Sequence, residues 1–369
     1  FDMSSATQDE SCMLRALHLA RQGEGHVEPN PMVGCVITRD GVTVGEGFHS
    51  AYGKDHAEVE ALRVAGEAAA GGCLYVNLEP CCHHGKTPPC SQAIIAAGLG
   101  RVVVAHEDPS EQVAGGGFEE LRAAGIEVVT GVAEEAARKL NAPYFHRLRT
   151  GRPWVIAKWA MTLDGKIATD EGESRWISCE RSREIVHRLR GRVDAVAIGS
   201  GTARADDPLL TARPAGPRLA TRIVLDSQAR LSLTSQLVKT AGEVPILVVT
   251  GPSADREAME NLAAKGCDIL QLGENASAAR IRTLLTELGT RGMTNLLVEG
   301  GSELLGSFLS AGLIDEVHIF LAPILFGGRG ISAIGGDGIA KMADSWKLAD
   351  LQMEKIGCDL YLHGPLLRR

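Results

Sequence analysis

Apolar residues recur at Cys12, Ala16, Leu19 and Ala20 between charged positions, a helical period over Ser11 to Gln22 that stops at Gly23. Met32 to Thr38 and Val42 to Gly47 then read as two strands joined by a turn at Asp40 and Gly41, a β-hairpin. HAEVEALRVAGEAA, beginning at His56, is helical, so His56 and Glu58 fall in a first turn whose unpaired amides and dipole favour a carboxylate. CLYVNL at 73–78 predicts a strand, CSQAIIAAG at 90–98 a short helix opened by Cys90, and RVVVAHEDP at 101–109 another strand. A helix over Phe118 to Ala124, a strand over Ile126 to Thr130 and a helix over Glu134 to Arg147 complete an alternating α/β unit. TGRP at 150–153 breaks the pattern and marks a boundary.

The second half starts afresh with the strand PWVIAKWAM and a helix near Arg183 to Arg190. Strands DAVAIGS, TRIVLDS and PILVVTG follow, then helices near Arg256 to Lys265 and Ala279 to Leu288. Strand NLLVEGG, helix Glu303 to Ala311, strand EVHIFLAPI and a strand-rich tail end the chain. This is a second sheet with helices on its faces, and the two halves share no motif.

Length and composition agree with two domains. A chain of 369 residues exceeds what one core usually serves, and 44% hydrophobic content is that of a folded globular protein. A formal charge of -8 argues against a sequence-independent grip on nucleic acid and favours small-molecule chemistry. The apolar runs are too short and too often charged to span a bilayer. Nine irregularly spaced cysteines, with no secretory leader, lead us to expect a reducing, cytoplasmic compartment.

Chemistry concentrates between His56 and Cys90, where HAE at 56–58 is followed by EPCCHHGKTPPC at 79–90. His56, Cys81 and Cys90 are three candidate zinc ligands that leave a fourth position for water, the arrangement of a catalytic rather than a structural site. Zinc makes water a nucleophile near neutral pH, and the attack then needs a proton carrier, for which Glu58 is placed. HxE followed by PC and a later Cys is the pattern of zinc deaminases, although here Cys81 and Cys90 enclose eight residues, CHHGKTPP, instead of two. Taken singly, His56 is as well explained as a capping or core histidine and Glu58 as a solvated helix residue; the joint pattern carries the metal reading. Cys12, Cys35, Cys73, Cys179, Cys267 and Cys358 are expected to be small core hydrophobes, and Cys82 to face away from the metal.

PNPMVG at 29–34, HAE, EPCCHHGKTPPC and AMTLDGKIA at 160–168 resemble the bifunctional riboflavin-biosynthesis deaminase/reductase family, over nearly the whole chain from about Ser11 to Leu362. The resemblance implies a cytidine-deaminase-like three-layer α/β/α domain over residues 3–150 and a dihydrofolate-reductase-like α/β domain over 151–369. It implies one Zn2+ on His56, Cys81 and Cys90 with Glu58 as acid/base, and NADPH as the second cofactor. It also implies phosphoribosyl pyrimidine substrates, no nucleic-acid or membrane partner, and a homo-oligomer. Asn30, His49, His83, Lys86, Thr87 and Asp108 match positions lining the deaminase substrate channel. The family's DPNP reads DPSE here at 108–111, so the resemblance does not carry over a polar contact commonly made by the Asn of that motif.

In the second half, the residues themselves offer two glycine-containing turns, GSGTARADDPLLTAR and VEGGSELLGSFL, without the spacing of a classical dinucleotide fingerprint. The resemblance assigns Ala160, Trp176, Thr202, Asp206, Ser227 and the loop Gly301, Ser302, Glu303, Leu304, Leu305, Gly306 and Ser307 to NADPH. It assigns Lys158, Ser174, Arg190, Leu210, Arg213 and Glu299 to the reductase substrate, with Lys158 and Asp164 flanking the hydride path. Arg190 and Arg213 suit a phosphate clamp because guanidinium forks bind phosphate bidentately; a solvated helix end is the plainer reading of Arg190 in RLRGR. Competing functions are a nucleobase or tRNA deaminase fused to a pterin-type reductase, and a zinc-stabilised scaffold. The acidic charge disfavours nucleic acid, and a scaffold has no use for the glutamate of HAE.

Overall fold

The computed structural model describes residues 3–83, 88–110, 113, 115–274 and 276–367, and the chain divides into two compact units, Phe1–Thr150 and Gly151–Arg369. The first unit comprises α1 (Met3–Ala20), β1 (Gly34–Arg39), β2 (Val42–Phe48), α2 (Ala57–Ala65), β3 (Cys73–Val76) and α3 (Cys90–Ala96). It continues with β4 (Arg101–Val104), α4 (Gly116–Ala123), β5 (Glu127–Thr130), α5 (Glu134–Leu140) and α6 (Ala142–Thr150). Its sheet runs β2-β1-β3-β4-β5, with β1 antiparallel to both neighbours and β3, β4 and β5 mutually parallel.

Both faces of this sheet are apolar, so each strand must alternate between two cores. Cys35, Ile37, Leu74, Val76, Val102 and Val104 pack with Ala57, Ala61, Ile94, Phe118 and Leu121 from α2, α3 and α4. The intervening Val36, Tyr75 and Val103 pack with Met13, Ala16, Leu17 and Ala137 from α1 and α5. The result is a three-layer α/β/α sandwich.

Two expected helices differ. The helix from His56 ends at Ala65 because Gly66 adopts φ 53, and His56 is its extended N-cap rather than a first-turn residue. The helix over Glu134 to Arg147 breaks into α5 and α6 at Asn141, whose side chain accepts from the Met32 N–H at 2.8 Å and donates to the Met32 carbonyl at 2.9 Å. Pro143, lacking an N–H, cannot continue α5 but is tolerated in the first turn of α6.

The second unit contains β6 (Trp154–Thr162), β7 (Lys166–Ala168), α7 (Glu180–Arg190), β8 (Ala195–Gly199), α8 (Ser200–Asp206), β9 (Thr221–Leu225) and α9 (Gln236–Lys239). It adds β10 (Ile246–Thr250), α10 (Arg256–Ala264), β11 (Asp268–Gln271), α11 (Ser277–Thr290), β12 (Asn295–Val298), α12 (Ser302–Ser310) and β13 (Glu316–Ala322). Short β14 (Ile331–Ser332) and β15 (Lys347–Leu348) precede the hairpin of β16 (Gln352–Ile356) and β17 (Asp359–Leu367). The sheet order is β11-β10-β9-β8-β12-β6-β13-β17-β15, with β16 also on β17 and a separate β7–β14 pair. Strands β11 through β13 are parallel, and β17 turns the edge antiparallel. Two apolar clusters cover its faces, one centred on Leu284, Leu296 and Phe308, the other on Val196, Val224 and Leu237. Strand β11 escapes the sequence pattern because it is an edge strand whose ends, Asp268 and Gln271, are exposed; α8 escapes it because it is short and contains Gly201. Among the described residues no helix is long and apolar enough to cross a membrane.

Helix α2 lies close on β2 because glycines leave room for it. A Cβ at Gly47 would stand 2.5 Å from the Ala57 carbonyl oxygen and 2.5 Å from the Ala61 nitrogen, both backbone atoms that cannot swing away. Gly47→Ala is therefore expected to destabilise the first unit by about 1–3 kcal/mol, the usual penalty of overpacking. Chemical denaturation of the full chain checks this, and an unchanged midpoint would show slack between β2 and α2.

Candidate functional site

His56 caps α2 with φ -75 and ψ 160 and makes no side-chain capping bond, which leaves its imidazole to face inward. Cys90 opens α3 directly after Pro89, whose ring fixes the entry of the chain into that helix. Cys81 lies in the segment that follows β3. These three separate elements converge: His56 Nδ1 is 3.2 Å from Cys90 Sγ and 3.5 Å from Cys81 Sγ, and the Cys90 N–H donates to Cys81 Sγ at 3.4 Å. All three donor atoms lie within 4.8 Å of one another. Two thiolates and an imidazole at this spacing suit zinc better than harder cations. The hydrogen bond from Cys90, reinforced by His56, holds the Cys81 thiol down at about 4 against the effect of burial. Sharing that proton pushes Cys90 well up.

Glu58 is 3% exposed. Burial pushes its carboxyl up to about 7, while His56 opposes the rise. A helix N-terminus stabilises a carboxylate by at most ~2 kcal/mol, so desolvation overrides the dipole that the sequence pattern emphasised. Glu58 thus stands where a group can both accept and release a proton near neutrality.

A cavity of about 320 Å³ opens onto these groups, and Asn30, His49, His83 and Asp108 line it with them. His49 Nε2 accepts from Asn30 Nδ2 at 3.2 Å, while its Nδ1–H donates to the Asp55 carbonyl at 3.0 Å. Burial lowers the His49 pKa. Asp108 accepts from the Tyr144 hydroxyl at 3.2 Å and from the Ser110 N–H at 2.9 Å, and burial raises its carboxyl. Ser110, at the departure from DPNP, lines the cavity too. Cys82 turns toward the Val113 carbonyl. Lys86 and Thr87, like Glu111, lie outside the described residues.

Sequence reasoning passed over several residues here. Tyr144, Tyr52 and Lys54 line the cavity. Glu79 supports it: its carboxylate accepts from the backbone N–H groups of Asp108 (3.3 Å), Gly115 (3.1 Å), Gly117 (3.0 Å) and Phe118 (3.3 Å). This fixes the loop after β4 and the start of α4 against the segment carrying Cys81. The legible signal was the run Gly115 to Gly117, since a Cβ at Gly117 would stand 2.2 Å from the Pro80 carbonyl.

A larger cavity of about 1320 Å³ lies in the second unit, at the carboxyl ends of β6, β8, β9 and β12. That exceeds the roughly 300–1,000 Å³ usual for one ligand, leaving space for two. Ala160, Trp176, Thr202, Asp206, Ser227, Gly301, Ser302, Glu303, Leu304 and Ser307 line it, as do Lys158, Ser174, Arg190, Leu210, Arg213 and Glu299. Gly301 caps α12, whose first-turn amides face the cavity mouth as an anion-binding end. Leu305 and Gly306 depart from the expected loop. Leu305 is fully buried in the apolar core, and Gly306 packs so tightly that a Cβ would meet the Gly335 carbonyl at 2.2 Å.

Arg190 and Asp164 also differ from expectation. Arg190 is neither a solvated helix end nor a free phosphate fork: its Nε and Nη2 donate to the two Glu299 oxygens at 2.5 and 3.0 Å. Lys158 Nζ stands 3.5 Å from the same carboxylate. Burial pushes Glu299 up, but Arg190 and Lys158 outweigh it and hold the carboxyl at about 2; burial lowers Lys158. Asp164 is no part of the cavity wall. It accepts from Thr162 Oγ1 at 2.5 Å and from the N–H groups of Phe326 and Gly327 at 3.2 and 2.6 Å, pinning that loop. Trp176, 68% exposed, lies under Arg183 at 4.5 Å.

Comparison with known proteins places these two sites in one lineage. Residues 6–106 match the cytidine and deoxycytidylate deaminase zinc-binding region, and residues 153–362 match the RibD C-terminal domain. The chain is 42% identical over 355 residues to riboflavin biosynthesis protein RibD of Actinobacillus pleuropneumoniae, covering 96% of this chain and 94% of that one. With its Escherichia coli K12 counterpart the identity is 40% over 371 residues, covering 96% and 99%. The solved structure of Acinetobacter baumannii RibD is similar with TM-score 0.88 and 36% identity, over 98% of this chain and all of that one. The Thermotoga maritima diaminohydroxyphosphoribosylaminopyrimidine deaminase/5-amino-6-(5-phosphoribosylamino)uracil reductase is similar with TM-score 0.84 and 34% identity, over 98% and 99%. A zinc-type donor set beside a buried glutamate, a second cavity with space for two ligands, and these end-to-end likenesses establish that the chain belongs to the RibD family of bifunctional riboflavin biosynthesis deaminase/reductases.

Proposed function

We propose that the chain performs two consecutive reactions on one phosphoribosyl pyrimidine. The unit over residues 3–150 removes an amino group hydrolytically from 2,5-diamino-6-(5-phosphoribosylamino)pyrimidin-4(3H)-one. The unit over 151–369 then reduces the ribosyl chain of 5-amino-6-(5-phosphoribosylamino)uracil to ribityl with NADPH. The observation that carries this reading is the convergence of His56, Cys81 and Cys90 on a cavity whose wall includes the buried Glu58.

His56 Nδ1 and the sulfurs of Cys81 and Cys90 would hold zinc, which would supply a water acidic enough to lose its proton near neutral pH. Glu58 would pass one proton from that water to the ring, and then a second, from the newly added hydroxyl, to the departing amine. Asn30, braced by His49, offers donor and acceptor to the pyrimidine edge. Asp108, held by Tyr144, orients the substrate from the opposite wall, with His83 beside it. At about 320 Å³ the cavity suits one pyrimidine ring.

In the second unit, Gly301 to Leu304 would present the first-turn amides of α12 to the cofactor's phosphates, and Ser307, Ala160, Trp176, Thr202, Asp206 and Ser227 would flank it. The hydride is the cofactor's; the protein supplies position and field. Lys158, Ser174, Leu210, Arg213 and Glu299 hold the sugar phosphate, with Arg213 as its phosphate partner. Arg190 acts by fixing Glu299.

Three outcomes test this assignment. Glu58→Gln retains zinc by elemental analysis but loses ammonia release by about 10²–10⁴-fold, while NADPH oxidation on already deaminated substrate continues; normal ammonia release would remove Glu58 from the mechanism. Arg213→Ala raises the reductase KM and leaves ammonia release intact, whereas equal loss of both activities would contradict its role.

Glu299→Gln leaves Lys158 and Arg190 buried without their counter-charge, and is expected to cost roughly 3–5 kcal/mol of stability at neutral pH. The Glu299 carboxyl titrates at about 2 in the folded chain against an ordinary 4.5. The stability it contributes is therefore complete above about pH 4.5 and lost as pH falls toward 2. Urea titrations should show the gap between parent and variant narrowing in acid; a constant gap would mean that packing, not charge, sets it.

A further inference from the structure

Cys179 and Cys358 were expected to be small core hydrophobes, yet Cys358 is exposed and Cys179 only partly buried. They come from distant elements. Cys179 is the N-cap of α7, and Cys358 lies in the two-residue turn Gly357–Cys358 between β16 and β17. Their sulfurs and an Asp359 oxygen all lie within 4.8 Å of one another. The approach is enforced by the turn, because Gly357 has φ 62 and a Cβ there would stand 2.9 Å from Cys179 Sγ.

The surroundings favour sulfur chemistry over metal binding. Asp359 is fully buried, and its Oδ2 is taken by the Cys179 N–H at 2.8 Å and the Ser182 hydroxyl at 2.6 Å. The carboxylate thus holds the α7 N-terminus through Oδ2, while its Oδ1 accepts from the Cys358 thiol at 3.5 Å and raises that thiol. Cys179 Sγ lies 3.4 Å from Ser182 Oγ and 3.3 Å from the Ile356 carbonyl. Burial raises its thiol, but the Ser182 hydroxyl and N–H outweigh this and hold it below its ordinary value. A cysteine at a helix N-terminus is stabilised as thiolate for the same reason.

We propose that Cys179 and Cys358 form a reactive dithiol site that takes low-molecular-weight disulfides of the glutathione type and closes to an intramolecular disulfide tying α7 to the β16–β17 turn. Cys358 is the exposed sulfur an external disulfide can reach; it gives up its proton to solvent and attacks, forming a mixed disulfide and releasing one thiol. The Cys179 thiolate then attacks the Cys358 sulfur, forming the internal S–S bond and expelling the second thiol. Two protein thiols are oxidised, one external disulfide is reduced to two thiols, and the two protons pass to those leaving groups or to solvent. The closed bond fixes the N-terminus of α7, the helix along which Arg183, His187 and Arg190 reach the large cavity.

Zinc-loaded full-length protein is incubated with glutathione disulfide, alkylated and digested for mass spectrometry. The expected result is a linked peptide pair containing Cys179 and Cys358, a loss of two titratable thiols, and full recovery with dithiothreitol. Cys179→Ser should stop at a stable glutathione adduct on Cys358, and Cys358→Ser, at an exposed position, should yield no linked pair. A parent protein that accumulates the Cys358 adduct as the variant does, or links only after denaturation, overturns the proposal.

Discussion

Parallel strand pairing governs where chemistry stands in both units. A parallel strand cannot turn back on its neighbour; it must leave at its carboxyl end and cross a face of the sheet before re-entering. Every crossover therefore begins at the same edge, and side chains from distant parts of the sequence meet there. Cys81 follows β3 and Asp108 follows β4; Thr202 follows β8, Ser227 follows β9, and Glu299 with Gly301 follows β12. The antiparallel β1–β2 hairpin does a different job. Its glycines let α2 settle close, which sets His56 and Glu58 opposite the cysteines.

Burial acts on two carboxylates in opposite senses according to their partners. Glu58 faces one imidazole and two sulfurs, and desolvation brings it to about 7, where it exchanges protons. Glu299 is just as buried, but an arginine fork and a lysine hold it at about 2. The first is tuned to change its charge during a reaction, the second to keep it. Position in the sequence predicts neither outcome, since both follow from which charged groups the fold brings within a few ångströms.

Much of this architecture was legible because its strands and helices carry strong periodicity. The zinc-type donors were legible because cysteine and histidine at defined spacings have few other uses. What escaped were contacts across long separations. Glu79 sits beside Pro80 in a motif that draws attention to Cys81, yet its carboxylate organises amides some thirty residues on. Asn141 ties α5 and α6 to Met32 across 109 positions, and no local pattern announces it. Arg190, expected to clamp the substrate's phosphate, has its guanidinium engaged by the Glu299 carboxylate 109 positions away. Leu305 and Gly306 belong to a segment of the right composition, but helical geometry turns the face that carries them and Phe308 toward the core.

The two cavities differ fourfold in size, about 320 against 1320 Å³, and this shapes how a shared molecule is inspected. Under the proposed function, the smaller takes the heterocycle, and the larger takes the sugar with a second molecule alongside. One intermediate is thus examined from opposite ends in succession. An impostor with an altered ring fails at the first station, and one with an altered sugar fails at the second. Selectivity multiplies along the chain without either pocket having to enclose the whole nucleotide.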